Sequence, residues 1–274
     1  MTLTPPLLPA ATHPRIAELF RIAQRIWLER EDLRATYSAI TSPEFWAWIA
    51  WHGVEEYPEL ARANFAWPPL HLVERVGGVT TDHRILREGG IVDWRRMVQQ
   101  LMGAGVKFEG ASVLDFGCGC GRILRHFARY AGSARFVGVD VDATPLEWCR
   151  REMDFAEFER IPLLPPTGLP QGGFDALYSY SVFSHIPRES QLAWLEELAR
   201  VLRPGGFAVL TYHGDRAVER WLAGETPSEA PRPQQLRDSL PQLRREGILF
   251  FPFGSMRTPN PENIDHWQQL DRAQ

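Results

Sequence analysis

Cysteine and lysine are scarce in this chain, long apolar runs are missing, and no charge sign dominates. The 274 residues include three cysteines, Cys118, Cys120 and Cys149, too few for a four-ligand metal cluster and not a disulfide framework. Two of them lie inside a glycine-rich turn, where a compact side chain suits packing, with a reactive thiol as the alternative. One lysine, Lys107, stands among 30 basic residues, a bias of coding rather than a sign of phosphate binding. No apolar run approaches the ~20 residues that a membrane span needs, and the N-terminus lacks a charged segment followed by an apolar core. A reducing, cytoplasmic setting follows as the expectation, with no membrane partner and no metal. The net charge of −4 gives no general electrostatic reason to bind nucleic acid.

What the chain does have is 44% hydrophobic residues, enough for a sizeable core, and one segment that organises the rest. In Val113-Leu114-Asp115-Phe116-Gly117-Cys118-Gly119-Cys120-Gly121-Arg122 an apolar run ends in an acid and then three alternate glycines. This pattern predicts a strand, a tight turn and a helix start, with glycine where the backbone must reach positive φ or be approached closely. Ile123, Leu124, Phe127 and Ala128 recur at helical spacing, so the expected helix packs on a sheet with its amide-rich end toward the turn.

The remaining chain reads as follows. Residues 1–14, rich in proline, form a flexible tail. Ile16 to about Leu33 carries a helical apolar stripe. Ser42-Pro43-Glu44 is a helix start with Ser42 as cap, leading into Phe45, Trp46, Trp48, Ile49 and Trp51, which form either a substrate wall or the tryptophan-based core of a helical subdomain. Ala66-Trp67-Pro68-Pro69 marks a linker. Arg75 suits a ligand carboxylate or a surface ion pair. Gly89-Gly90 reads as a turn before a helix from about Asp93 to Met102.

Ala134–Asp140 is a second strand ending in an acid about 20 residues beyond the glycines, the position from which a carboxylate accepts hydrogen bonds from ribose hydroxyls. A helix follows over Pro145–Met153, a short strand within Phe158–Leu164, a strand within Gly172–Ser179, a helix over Ser190–Leu202, a chain-reversing turn at Arg203-Pro204-Gly205-Gly206 and a strand over Phe207–Tyr212. Strands alternating with helices of this length predict a doubly wound, mainly parallel α/β sheet. Residues 15–70 form a helical aromatic-rich extension and 71–274 the main domain, with its core at 110–214. After Tyr212 only Ile248-Leu249-Phe250-Phe251 is a further strand candidate.

Four ordered elements carry a family resemblance: Asp115 to Gly121, Asp140, Phe174 to Ile186, and Leu202 to Gly206. Together they resemble the class I S-adenosylmethionine-dependent methyltransferases, over roughly residues 110 to 214. The resemblance implies a Rossmann-like fold and S-adenosyl-L-methionine as cofactor. Gly117, Gly119 and Gly121 then pass beneath its methionine part, and Asp115 orients the amino group directly or through water. Asp140 holds the ribose. Tyr180 and Ser181 lie beside the sulfonium, with Val182 and Phe183 shaping the wall, and Phe116, Cys118 and Val141 complete the cofactor set.

Two departures stand out. Leu163-Leu164-Pro165-Pro166 replaces the acid that relatives use near the adenine, leaving apolar contacts and backbone groups there, and after Tyr212 either the C-terminal sheet edge is shortened or the sequence ends early relative to its relatives. Methyl transfer from a sulfonium requires alignment and a dry pocket, with a base only where the nucleophile must lose a proton. His185 and His213, near strand ends, are the candidates, against capping or turn roles for both. The expected acceptor is a small molecule or glycan, methylated on oxygen, and a homodimer is compatible. The alternatives are a catalytically silent cofactor-binding scaffold and a nicotinamide-dependent oxidoreductase, disfavoured because Arg122 stands where a dinucleotide fingerprint needs its last glycine.

Overall fold

The computed structural model describes residues 13–77, 82–186, 188–225 and 233–247. The expected tail therefore falls largely outside the described residues, as does the strand candidate at 248–251. Pro14 is not part of the tail: it opens the first helix, α1 (Pro14–Glu29), at a position that has no partner for an N–H. Ile16, Leu19, Phe20, Ile22, Ala23, Ile26 and Trp27 form its buried stripe. The stripe does not continue unbroken to Leu33. Arg30 adopts an extended conformation, φ −108° and ψ 107°, where its guanidinium reaches Asp32 and the Tyr57 hydroxyl, and α2 (Glu31–Thr36) starts afresh.

The helix α3 (Pro43–Trp48) begins as its sequence predicts, with the Ser42 hydroxyl accepting from Phe45 N at 3.0 Å. A π-helical turn, Ile49–Gly53, joins it to the short α4 (Val54–Glu56), followed by α5 (Pro58–Ala63) and α6 (Leu70–Gly77). Phe45, Trp46 and Trp48 are buried, and the Phe45 and Trp48 rings stack at 5.3 Å. The aromatic run is thus packing rather than a ligand wall. A second π-helical turn, Ile85–Gly89, runs directly into α7 (Gly90–Gly103). Gly89-Gly90 is therefore not a turn between elements. A Cβ on Gly90 would lie 2.6 Å from the carbonyl oxygen of Arg122, so glycine there lets α7 start against the backbone of the glycine-rich segment.

Five parallel strands follow: β1 (Ser112–Phe116), β2 (Arg135–Asp140), β3 (Glu157–Arg160), β4 (Phe174–Ser179) and β5 (Leu202–Leu210). Between β2 and β3 lies α8 (Ala143–Glu152), and between β4 and β5 lies α9 (Arg188–Val201). The sheet order is β3-β2-β1-β4-β5, so the winding reverses between β1 and β4, the switch point beyond whose carboxyl ends such sheets form a ligand crevice. Arg203–Gly206 does not separate α9 from the last strand. Phe174 pairs with Leu202 and Ala176 already with Phe207, so the four residues bulge out within β5, Gly205 at φ +79° and Arg203 paired with Asp175 at 2.6 Å. Among the described residues β5 is the sheet edge, and α10 (Asp215–Leu222) and α11 (Pro233–Glu246) follow it.

The period-2 alternation of β1 assigns its neighbours to two cores. Leu114 and Phe116 face one side, with Trp194, Leu198 and Val201 of α9. Val113 faces the other, where α7, α8 and the N-terminal helices share a single apolar cluster that includes Phe20, Phe45, Trp94, Phe127 and Phe136.

Candidate functional site

The crevice floor is the glycine turn after β1. Gly117 N and Cys118 N both donate to the Val139 carbonyl, at 2.8 and 3.0 Å, tying the turn to β2. Gly119 N donates to Asp140 Oδ2 at 2.8 Å, and the Cys118 and Cys149 thiols both point at the Gly119 carbonyl, at 3.7 and 3.6 Å. All three cysteines are free and buried. Burial pushes the Cys120 thiol up to about 12 and raises the other two, so these are packing thiols and not nucleophiles. Gly121 sits at φ +72°, and a Cβ there would fall 2.2 Å from the Met153 methyl.

The expected α-helix after the turn is instead a 3₁₀ segment, Leu124–Tyr130. Its first five residues are all buried. Arg125 turns inward over the Trp67 ring at 3.8 Å and donates to the Phe65 and Ala66 carbonyls. The Ala66–Pro69 linker is thereby fastened to the site rather than free. Burial lowers the His126 imidazole to about 3, so it is neutral, with Nε2 3.5 Å from the Leu86 carbonyl.

Two carboxyl groups line this floor. Asp115, 3% exposed, accepts from the Tyr178 hydroxyl at 2.8 Å. Burial pushes its carboxyl up to about 7, against the lowering effect of that hydrogen bond. Asp140, at the end of β2, is raised by burial too, opposed by the amides of Asp142 and Gly119. Asp142 caps α8 by accepting from Thr144 N and forms an ion pair with Arg75. Of the two uses open to Arg75, the structure shows the ion pair, placed beside the Asp140 loop. Val141 follows Asp140, and its carbonyl accepts from Arg160 Nε at 3.0 Å.

Across the switch point, β4 ends at Ser179 and the chain turns sharply. Ser181 has φ +60°, the one left-handed residue other than glycine among those described, a strain that functional sites commonly hold. Its amide donates to Thr211 Oγ1 at 2.7 Å. Val182 rests on the glycine turn, its Cγ2 2.2 Å from where a Gly117 Cβ would stand, and Phe183 packs near Phe116 at 6.3 Å. His185 closes a 3₁₀ turn beyond β4, its amide donating to the Val182 carbonyl at 2.8 Å. His213 lies beyond β5, its ring 4.9 Å from that of Trp221, and burial lowers its pKa.

The structure thus brings Asp115, Phe116, Gly117, Cys118, Gly119, Gly121, Asp140, Val141, Tyr180, Ser181 and Val182 to one end of the sheet, with both histidines beyond the same ends of β4 and β5. Sequence reading missed Asp93, in the first turn of α7. It accepts from Arg122 at 2.6 Å and Arg96 at 3.2 Å, and also bonds the Tyr180 hydroxyl. The signal was weak because Asp93 precedes the glycine motif by a helix and a loop, and only the fold returns it there.

A parallel sheet ordered β3-β2-β1-β4-β5, with a glycine turn and an acid flanking its switch point, defines the class of Rossmann-like cofactor-binding proteins. Within that class, residues 113–206 match the family model described as a methyltransferase domain. Over that segment the chain carries a methyltransferase domain of the class I S-adenosylmethionine-dependent type.

A fatty-acid O-methyltransferase of Mycolicibacterium smegmatis is 35% identical over 107 residues, which cover 38% of this chain and 37% of that protein. The rRNA N(6)-adenosine-methyltransferase metl-5 of Caenorhabditis elegans is 29% identical over 130 residues, 44% of this chain and 58% of that protein. A solved SAM-dependent methyltransferase from Aquifex aeolicus is 18% identical, with a TM-score of 0.43, covering 67% of this chain and 90% of the other. The chain spans less than two thirds of the length of the curated relatives it matches. No helix among the described residues is long and apolar enough to cross a membrane.

Proposed function

We propose that the protein transfers a methyl group from S-adenosyl-L-methionine to an oxygen on a small-molecule or glycan acceptor. The observation that carries the cofactor reading is Asp115: a buried carboxyl raised to about 7, with no cationic side chain in ion-pair distance among the described residues, at the foot of a glycine turn. Such a group is the natural partner of an ammonium, which would restore its ordinary acidity. Asp140, oriented by the amides of Gly119 and Asp142, fits a ribose diol, and the alternate glycines fit a chain passing close over the backbone.

The cofactor supplies an already activated methyl group on a positively charged sulfur. An acceptor oxygen that took this methyl group would give up its own proton to a base or to water. Tyr180, Ser181 and Val182 would shape the space beside that methyl group and keep water out. His185 and His213 are the candidates to take the proton. The matched relatives act, by their names, on a fatty acid, an rRNA adenosine and a ribosomal protein, so their likeness leaves the acceptor class open. The net charge of −4 favours a small acceptor over a polyanion.

The test is calorimetric titration of the full chain with S-adenosylhomocysteine, alongside Asp140→Ala. Binding that weakens at least tenfold in the variant supports the reading. No heat and no thermal shift with the unaltered protein would overturn it. Methyl transfer to any physiological acceptor excludes a silent scaffold.

A further inference from the structure

The corner of the crevice beneath Tyr180 holds a charge imbalance that the proposed reaction does not use. Asp93 is buried and takes hydrogen bonds from three groups: Arg122 at 2.6 Å, Arg96 at 3.2 Å and the Tyr180 hydroxyl. Two guanidinium groups thus share one carboxylate, leaving a surplus positive charge in a chain of net charge −4. Neighbouring arginines of the same segment are balanced: Arg84 and Arg87 share Glu55 and Glu88, Arg95 faces Glu44, and Arg75 faces Asp142.

The two guanidinium groups of the corner differ in what remains free. Arg122 is 14% exposed, with its polar edge on Asp93 and its plane over the Tyr180 ring at 4.8 Å, so both of its binding modes are in use. Arg96 is 63% exposed and holds Asp93 through one nitrogen at the outer limit of a good hydrogen bond. The rest of its fork, rigid, planar and permanently charged, faces outward.

We propose that Arg96 is the anchor for a carboxylate on the methyl acceptor, with Asp93 and Arg122 as positioning residues. This rests on the methyl-transfer reading and names the substrate class of the same site. A carboxylate suits it because a planar two-oxygen group matches the unused edge of the fork, and because a single negative charge cancels the surplus. The Tyr180 ring, half-buried between this corner and the end of β4, would then lie alongside the body of the bound acid, with the acid's nucleophilic oxygen toward Ser181.

The test uses the full chain saturated with S-adenosylhomocysteine. The probes are decanoate, benzoate and indole-3-acetate, each titrated against its own primary amide. At least one acid should bind tenfold or more tightly than its amide. Arg96→Gln should reduce that preference at least fivefold and Arg96→Lys should restore part of it, while S-adenosylhomocysteine affinity stays within twofold in both. The anchor is overturned if no acid is preferred over its amide, or if the preference survives Arg96→Gln. It is overturned equally if Arg96→Gln weakens S-adenosylhomocysteine instead, which would place the guanidinium in the cofactor subsite. Failure of S-adenosylhomocysteine to bind the unaltered protein overturns the methyl-transfer reading itself, and is read before any acid is added.

Discussion

Replacing Asp115 by Asn should stabilise the ligand-free protein at alkaline pH and not at acid pH. In the folded chain this carboxyl titrates at about 7, against 3.8 for an ordinary aspartate. Between those two values the folded state holds a proton that the unfolded chain has released. Stability therefore falls as pH rises from about 4 to about 7, and is level on either side of that window. A gap of about three pH units at ~1.36 kcal/mol each corresponds to ~4 kcal/mol once the group is ionised, an upper bound because local relaxation and water entry soften the cost of a buried charge.

The Asn amide keeps an oxygen for the Tyr178 hydroxyl but brings two buried N–H donors in need of partners, a cost of ~1 kcal/mol. Asp115→Asn is thus expected to be ~1 kcal/mol less stable than the unaltered protein below about pH 4, within ~1 kcal/mol of it at pH 5, and ~1–3 kcal/mol more stable at pH 8.5. Urea denaturation followed by far-ultraviolet circular dichroism at both pH values measures the difference. Saturating S-adenosylhomocysteine should reverse the order at pH 8.5, because the variant has lost the charge that its ammonium would meet. A difference between the two proteins that is the same at pH 5 and pH 8.5, within ~0.5 kcal/mol, would refute the assignment of a strongly raised acid at this position.

Further outcomes follow from the turn and its supports. Gly121→Ala places a side chain at φ +72° and against the Met153 methyl, so it should cost ~2–4 kcal/mol in urea denaturation and weaken S-adenosylhomocysteine at least tenfold; a loss under ~0.5 kcal/mol would mean that the turn adapts easily. Arg125→Met keeps much of the volume but leaves the Phe65 and Ala66 carbonyls without their donor, for an expected loss of ~1–3 kcal/mol, checked by thermal and urea melts. His185→Ala should slow turnover on an identified acceptor tenfold or more with S-adenosylhomocysteine affinity within twofold, and unchanged turnover removes it as the base.

Local signals carried far in this sequence. The apolar run of β1, the acid ending β2, the Ser42 cap and the stripe of α1 as far as Trp27 are each set by a few neighbouring residues, and each stands where the pattern places it. Misreadings came where tertiary contacts override the local pattern. The helix expected after the glycine turn is a buried 3₁₀ segment, and Gly89-Gly90 serves close packing rather than a turn. Arg203–Gly206 bulges from β5 while Asp175 holds Arg203. For the candidate site, the glycines and Asp140 were legible because their spacing is short-range. Asp93, Arg122 and Arg125 were not, since Asp93 and Arg122 meet across 29 positions and Arg125 reaches Phe65 across 60.

The single apolar cluster shared by the N-terminal helices and one face of the sheet means that this protein has no detachable engine. A fragment trimmed to the glycine turn and its strands would expose Val113, Phe127, Phe136 and Tyr178 to water and lose the backbone carbonyls that quench Arg125. Any change in the N-terminal helices must therefore preserve that seam, because they and the glycine-turn sheet fold as one unit.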